Sequence, residues 1–454
     1  MKAILIVLTM TTTLPAADYY VATTGSDQNP GSLRQPFRTI SRGLAAARKP
    51  GDSVIVRAGV YSQSRTINIV NSGSKGKYIT LRSFKDEKVI IDGSNTPTDA
   101  NLIAVLTHHI RIQGLEIRNS NGIGIGAWGP GSRIHAVEII GNNIHHCRRS
   151  GAYAGFNNLS DPVRDILMKD NTIKNCVLIN EKLSSSSWNF GLGAGLSKNV
   201  TLKNNTVSEC YGEGIGLYLS DHGVIEDNVV HDNYSVNIYL DNTTNTQVTR
   251  NLVYTTNDNK FYRFNQPASG IQIANENYRE YTNLSSHNTV TNNILIGNYF
   301  AFYSGSYQRG GGLRHTIFAH NTAYGSTGPL LHIDADQGHQ VSRFVNNIFK
   351  QTGEAQITDI QGPTDQIEFR NNLWHGGIPH RAVKSANDVY ADPLFIKGGS
   401  KNAKDYQLQS NSPARNTGIK TKEVGSDFGG NQRKNRTDLG AWKFELTTTN
   451  SQSQ

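Results

Sequence analysis

The chain has 454 residues, of which 36% are hydrophobic and only 18% charged, with 44 glycines and a formal net charge of +9. Recurring Ile and Val argue against a disordered chain, and no apolar stretch is long enough to span a bilayer. The basic balance suits an acidic partner such as a polyuronate, a sulfated glycan or an anionic surface, and suits plain solubility equally well.

Residues 1–17 read as a secretory signal, with Lys2, the apolar run AILIVLTM and then TTTLPAA before Asp18. Such a segment implies a secreted or periplasmic protein and argues against nucleic acid as a partner. Residues 18–61 are expected to hold an N-terminal cap and the first strand. Within them Phe37, Ile40 and Leu44 fall on one face of a short helix over residues 37–47, following Pro36 and closing at Pro50-Gly51. A helix of this kind can close the apolar end of a stacked fold. Strands begin at VIVRAGVY (54–61) and continue through YITLRS, VIIDGS and IRIQGLEI, where Leu115 stands at the position later taken by Asn.

From residue 139 a repeat takes over. An apolar residue, two more residues, an Asn, one residue and a second apolar residue recur, as in Leu202/Asn205/Val207, Ile225/Asn228/Val230 and Val248/Asn251/Val253. Asn142, Asn171, Asn205, Asn228, Asn251, Asn293, Asn321, Asn347 and Asn372 stand at intervals of 29, 34, 23, 23, 42, 28, 26 and 25 residues. Irregular intervals around a constant motif mean a solenoid whose rungs differ by surface loops. β-Branched, Asn- and Gly-rich units exclude the helical solenoids. Asn tolerates the left-handed conformation of a corner, and its amide can bond to the rung above or below, so the asparagines are expected to form a ladder. A third strand follows each corner, as in GIGL, VNIYL, GIQI and PLLHI, giving three strands per rung and a parallel β-helix over residues 62–375. Cys147, Cys176 and Cys210 take equivalent places in three consecutive units and are expected to stack as buried thiols, with a disulfide as the alternative. The closing segment spans residues 376–443, and residues 444–454 read as a polar disordered tail.

YYVATTGSDQNPGSLRQPF with GDSVIVRAGVY near the start resembles the opening of secreted proteins of the pectate-lyase-like superfamily. ADPLFIKGGSKNAKDYQLQSNSPARNTG with SDFGGNQRKNRTDLGAW resembles their closing segment. The resemblance covers about residues 18–443 and implies an all-β, single-stranded right-handed parallel β-helix and a role in polysaccharide chemistry, without selecting a reaction.

Strand alternation turns Tyr239, Gln272 and His332 outward beside the inward Ile238, Ile271 and Leu331, with Asp241, Ala274 and Asp334 one step further along. With Tyr218 and Tyr303 nearby, this face offers rings for sugar faces and polar groups for hydroxyls; an aromatic ladder that merely covers the sheet is the bland alternative. Long insertions on the central rungs are expected to wall a cleft and carry Arg279, Arg309 and Arg314, further candidates for substrate binding. A uronate lyase must neutralise the sugar carboxylate, remove the adjacent proton and protonate the leaving oxygen. Lys260, Tyr262 and Arg263, in one loop opposite Tyr239 and Asp241, are the expected working cluster, with His231 as a further candidate base. Exposed Lys, Arg and His are more often solvated surface. Glu213, Asp241, Glu276 and Asp334 offer either a calcium site or the acid and base of a hydrolase, and no metal ligand is assigned. The leading expectation is an exported, monomeric lyase acting on an acidic polysaccharide, with calcium the one cofactor left open. A hydrolase, a uronan epimerase and a non-catalytic carbohydrate-binding protein are the rivals.

Overall fold

The computed structural model describes residues 15–182, 189–335, 338–434 and 436–445. Most of the signal segment, Trp188 and the tail beyond residue 445 lie outside the described residues. The chain winds into a right-handed parallel β-solenoid of about 12 turns with little helix. Each full turn contributes one strand to each of three parallel sheets, of 13, 13 and 11 strands. We call these sheet 1, which begins with Asp18–Val21, sheet 2, which follows the asparagine corner, and sheet 3, which completes the turn. Among the described residues no helix is long and apolar enough to cross a membrane.

Strand register makes the repeat a set of vertical columns. In sheet 1, Ile139, Met168, Leu202, Ile225, Val248, Val290, Phe318, Phe344 and Phe369 are successive neighbours. In sheet 2 the matching column runs from Ile144 through Val207, Val230 and Val253 to Phe349 and Trp374. The columns change from aliphatic to aromatic toward the C-terminal end, where Phe318 stacks on Phe344 with ring centroids 4.3 Å apart and Phe349 on Trp374 at 4.5 Å. Flat rings match the roughly 4.8 Å rise between parallel strands, so they fill the interior without a gap.

The asparagines do form a continuous ladder. Asn228 Nδ2 donates to Asn251 Oδ1 at 2.9 Å and to the Leu202 carbonyl at 2.9 Å, while Asn228 Oδ1 accepts from Asn205 N at 2.9 Å. The same pattern runs from Asn142, whose Oδ1 accepts from Leu115 N at 3.1 Å, to Asn372, whose N donates to Asp388 Oδ1 at 2.9 Å. One detail differs from the sequence expectation. The left-handed residue is the one before each ladder Asn, from Gly141 and Asp170 to Asn371, with φ between 52° and 62°. Turning the backbone one residue early aims the Asn side chain into the stack, so corner and ladder are separate jobs.

The capping helix is Ile40–Ala46, shorter than expected because Thr39 caps it through a bond from Arg42 N at 3.2 Å. Ile40, Leu44 and Phe37 are buried over the first strands. At the other end the closing segment packs along the outer face of sheet 2, where Phe395, Tyr406, Leu408, Leu439 and Trp442 bury Ile294, Ile296, Ile348 and Leu373. Cys147, Cys176 and Cys210 are buried, free and stacked. Each sits where a glycine leaves room: a Cβ on Gly191 would lie 2.7 Å from Cys210 Sγ.

Candidate functional site

A cleft of about 690 Å³ lies on the outer face of sheet 3 across the central rungs. Its floor follows from glycine placement. Phe190, at the start of the strand Phe190–Gly195, lays its ring over Gly216, where a Cβ would come within 2.1 Å of it. Tyr218 lies over Gly195, where a Cβ would meet the ring at 1.7 Å. Side chains at these positions would fill the floor, so the glycines keep the depression open and let the rings line it.

Strand ends supply the charge. Glu213 opens the strand Glu213–Tyr218, Asp241 closes Val236–Asp241, and Glu276 follows Ser269–Asn275. Asp241 pairs with Tyr218 in the register, and Tyr239 pairs with Gln272. Simple alternation would send Glu213 inward, as it does Ile215. Glu213 instead joins the cleft lining, as does Phe190, its register partner on the preceding rung. The insertion after Glu276 forms a wall: Tyr278 packs on Tyr218 with centroids 6.1 Å apart, and Tyr281 reaches back to donate to the Asn157 carbonyl at 3.0 Å. Trp128, Tyr153 and Arg149 line the cleft from earlier rungs, Tyr307 from a later one.

The carboxyls are held differently. Tyr239 OH donates to Glu276 Oε1 at 2.7 Å, and Tyr278 OH donates to Asp241 Oδ2. Asp241 Oδ1 is buried with no hydrogen-bond partner. Arg263 enters through a bond from Nη1 to Ser235 Oγ at 2.8 Å. Burial, with added repulsion from Asp241 and Glu276 and partial relief from Arg263, pushes the Glu213 carboxyl up to about 8. Burial also pushes Asp241 up to about 7, against the hydrogen bond from Tyr278 and with help from the Glu276 charge. Tyr239 and Tyr278 are raised mainly by burial and remain protonated donors at neutral pH. Among the described residues the three cleft carboxyls do not converge to within 4.8 Å of one another, as oxygens gripping one ion would.

Of the residues singled out from sequence, Tyr218, Tyr239, Asp241, Arg263 and Gln272 line the cleft. Tyr303 stands behind it, 3.1 Å from the Tyr307 hydroxyl, and belongs to the column of Gln272 and His332 rather than to that of Tyr218. His231 lies on sheet 2, bound to Asp232 at 2.7 Å and stacked on Tyr254. Lys260 and Tyr262 flank Phe261, which packs toward Tyr211, so their loop turns them away from the cleft and only Arg263 enters. Arg279 and Arg309 are exposed, and Arg314 is tied to the Gly310 carbonyl at 2.6 Å; none lines the cleft. Asp334 is also apart, bonded to His332 Nε2 at 2.7 Å, with Asp359 on the other ring nitrogen at 2.8 Å. Trp128, Tyr153 and Phe190 were not singled out, although the glycine-flanked aromatics in GIGAWG and GAYAG marked such positions.

Comparison with known proteins agrees on the fold. The family described as "Pel9A-like, right handed beta helix region" matches residues 19–210. The uncharacterized protein YwoF of Bacillus subtilis (strain 168) is 26% identical over 455 residues, covering 88% of this chain and 92% of YwoF. Pectate lyase L of Paenibacillus polymyxa (strain SC2) is 34% identical over 148 residues, 32% of this chain and 31% of that protein. Among solved structures, the complex of XylC with xylose superposes with a TM-score of 0.65 at 14% identity, covering 94% of this chain and 98% of that one. The family match ends at residue 210, just before Glu213, Asp241, Arg263 and Glu276.

Proposed function

Since the chain is a right-handed parallel β-helix protein of the pectate-lyase-like superfamily, active on polysaccharides, we propose that its cleft hydrolyses a glycosidic bond with a pair of carboxyl groups. The observation that carries this reading is the separation of roles among three clustered carboxyls. Hydrolysis needs one carboxylic acid to protonate the leaving oxygen and one carboxylate to act as nucleophile or as base for water. Glu213, pushed up to about 8 where Asp241 is pushed to about 7, takes the proton first and is the acid. Asp241, pushed up to about 7 by burial and held below Glu213 with the help of the Tyr278 hydroxyl, ionises before Glu213 and is the carboxylate; its Oδ1 is buried without a partner and would have to be uncovered to meet substrate or water. Burial first, then repulsion from Asp241 and from Glu276, which is held by Tyr239, keep Glu213 protonated. Trp128, Tyr153 and Tyr218 offer rings on which sugars stack. The chain would act after export through residues 1–17.

β-Elimination is the second reading, favoured by Arg149 and Arg263 in the cleft, by the basic net charge and by the match to pectate lyases over the N-terminal half. Arg263 would neutralise a uronate carboxylate. The cleft centre, with three acidic groups to two basic ones, suits a neutral sugar better. Incubation with neutral oligosaccharides, xylo-oligosaccharides included, and with pectate and alginate distinguishes the two. Reducing ends without ultraviolet-absorbing products are expected. An unsaturated product from pectate or alginate would overturn hydrolysis in favour of elimination.

A further inference from the structure

Away from the cleft, at the corner where sheet 3 passes into sheet 1, His108, His109 and His135 come together. Ile110 pairs with Val137, so His108 and His135, each two residues earlier, occupy equivalent places in consecutive rungs. Their rings stack with centroids 4.5 Å apart and planes 17° off parallel. His109 has φ of 54°, which swings its ring out of the column and across the edges of the other two, at 82° to His108 and 81° to His135. One ring nitrogen from each residue lies within 4.8 Å of the others, and the Nδ1 atoms of His108 and His109 are 2.9 Å apart.

The backbone under the cluster is pinned from both sides. His109 N donates to the His135 carbonyl at 3.1 Å, and the carbonyls of His108 and His109 accept from Gly73 N and Ile79 N at 3.3 and 3.1 Å. The His135 ring is also oriented: Nδ1 meets the Gly131 carbonyl at 3.0 Å, and since that oxygen can only accept, Nδ1 carries the proton and Nε2 keeps its lone pair. Nitrogens around a tetrahedral ion, each about 2.0–2.1 Å from the metal, sit about 3.3 Å from one another. The 2.9 Å between His108 and His109 and the 4.8 Å limit on the other separations bracket that spacing. Negative charge is near: Asp165, tied to Asn199 Nδ2 at 3.0 Å, acts on His109. Arg164, the neighbour of His135 on the following rung, approaches Asp161 and Asp165 at 3.9 Å each.

We propose that His108, His109 and His135 bind one divalent transition-metal ion of imidazole preference, zinc, nickel or copper, as a clip between successive rungs with a fourth position open to water. Imidazole nitrogens in this number suit those ions and not calcium or magnesium. His108 and His109 share one proton across their close contact, and the ion replaces it, so affinity should fall as the pH is lowered.

Titration of the full chain with zinc chloride by calorimetry, and with cobalt(II) followed by visible ligand-field absorption, tests this. One ion per chain is expected, with a rise in Tm on zinc addition and a loss of about tenfold or more in affinity in both H109Q and H135Q. H287Q, which removes one ring of the other stacked histidine pair, His287 and His315 at 4.6 Å, should bind as the wild type does. Circular dichroism of the metal-free variants confirms that they fold. No binding, binding that survives in both H109Q and H135Q, or binding lost equally in H287Q would each overturn the site.

Discussion

The asparagine ladder and the cleft are both groups of polar side chains carried by the same stack, and they solve opposite problems. In the ladder every rung repeats the same group, so each amide donates to one neighbour and accepts from another, and Asn205, Asn228 and Asn251 are buried with their hydrogen bonds complete. On sheet 3 the rungs do not repeat. Glu213, Asp241 and Glu276 bring acceptors together with two tyrosine hydroxyls between them, and one Asp241 oxygen is left without a partner. The satisfied ladder stabilises the fold, whereas the cleft holds protons and a buried acceptor without a partner. The two regions show that a solenoid keeps its frustration local, since each rung answers only to its neighbours.

The sharpest way to break this contrast is to remove the cleft acid. Glu213→Gln keeps the shape and removes the ionisable group, and should lower kcat by about 10²–10⁴-fold on whichever glycan the wild type cleaves, with little change in KM. The same substitution sharpens the stability side. Glu213 has a folded pKa above its unfolded value, so its protonated form is favoured below the unfolded pKa, and that contribution is lost as pH rises through about 8. Glu213→Gln should therefore unfold at higher denaturant than the wild type at pH 9, by on the order of 5 kcal/mol at most, and match it at about pH 4 and below. In the ladder the sign reverses. Asn228→Ala takes the shared acceptor from Asn205 N and from one proton of Asn205 Nδ2, and the side-chain donor from the Leu202 carbonyl, and should cost about 2–4 kcal/mol in urea unfolding at every pH. A smaller effect is expected from Tyr278→Phe, which removes the donor to Asp241 and should move the acid limb of the kcat/KM profile upward from about 7 without abolishing turnover. Trp128→Ala, at the cleft edge, should raise KM several-fold and leave kcat nearly unchanged.

The difference between ladder and cleft also explains what could be read in advance. Repetition is visible in a one-dimensional string, and the interval between Asn205, Asn228 and Asn251 is enough to infer vertical neighbours. The ladder and the three-strand rung follow from that spacing. So does the outward turn of Tyr239, Gln272 and Asp241, which needs only alternation from Ile238 and Ile271. What escaped was set by local departures from the repeat. Glu213 shares the parity of inward Ile215 yet lines the cleft, so alternation alone would place it on the wrong face. Lys260 and Tyr262 stand beside Arg263 in sequence, but the packing of Phe261 near Tyr211 decides which of the three reaches the cleft. The left-handed corner fell one residue earlier than expected because Asp, Gly, Arg and His serve that turn as well as Asn does, so residue type alone did not mark it.

Carbon-13 NMR of the side-chain carboxyls, with Glu213 assigned by comparison with Glu213→Gln, measures its protonation directly and needs no substrate. A midpoint near 8, falling toward the ordinary range when Asp241 and Glu276 are both changed to their amides, is the predicted result. A midpoint near 4.5 would mean that the cleft holds no proton at neutral pH, and would contradict the acid role on which the hydrolytic reading stands.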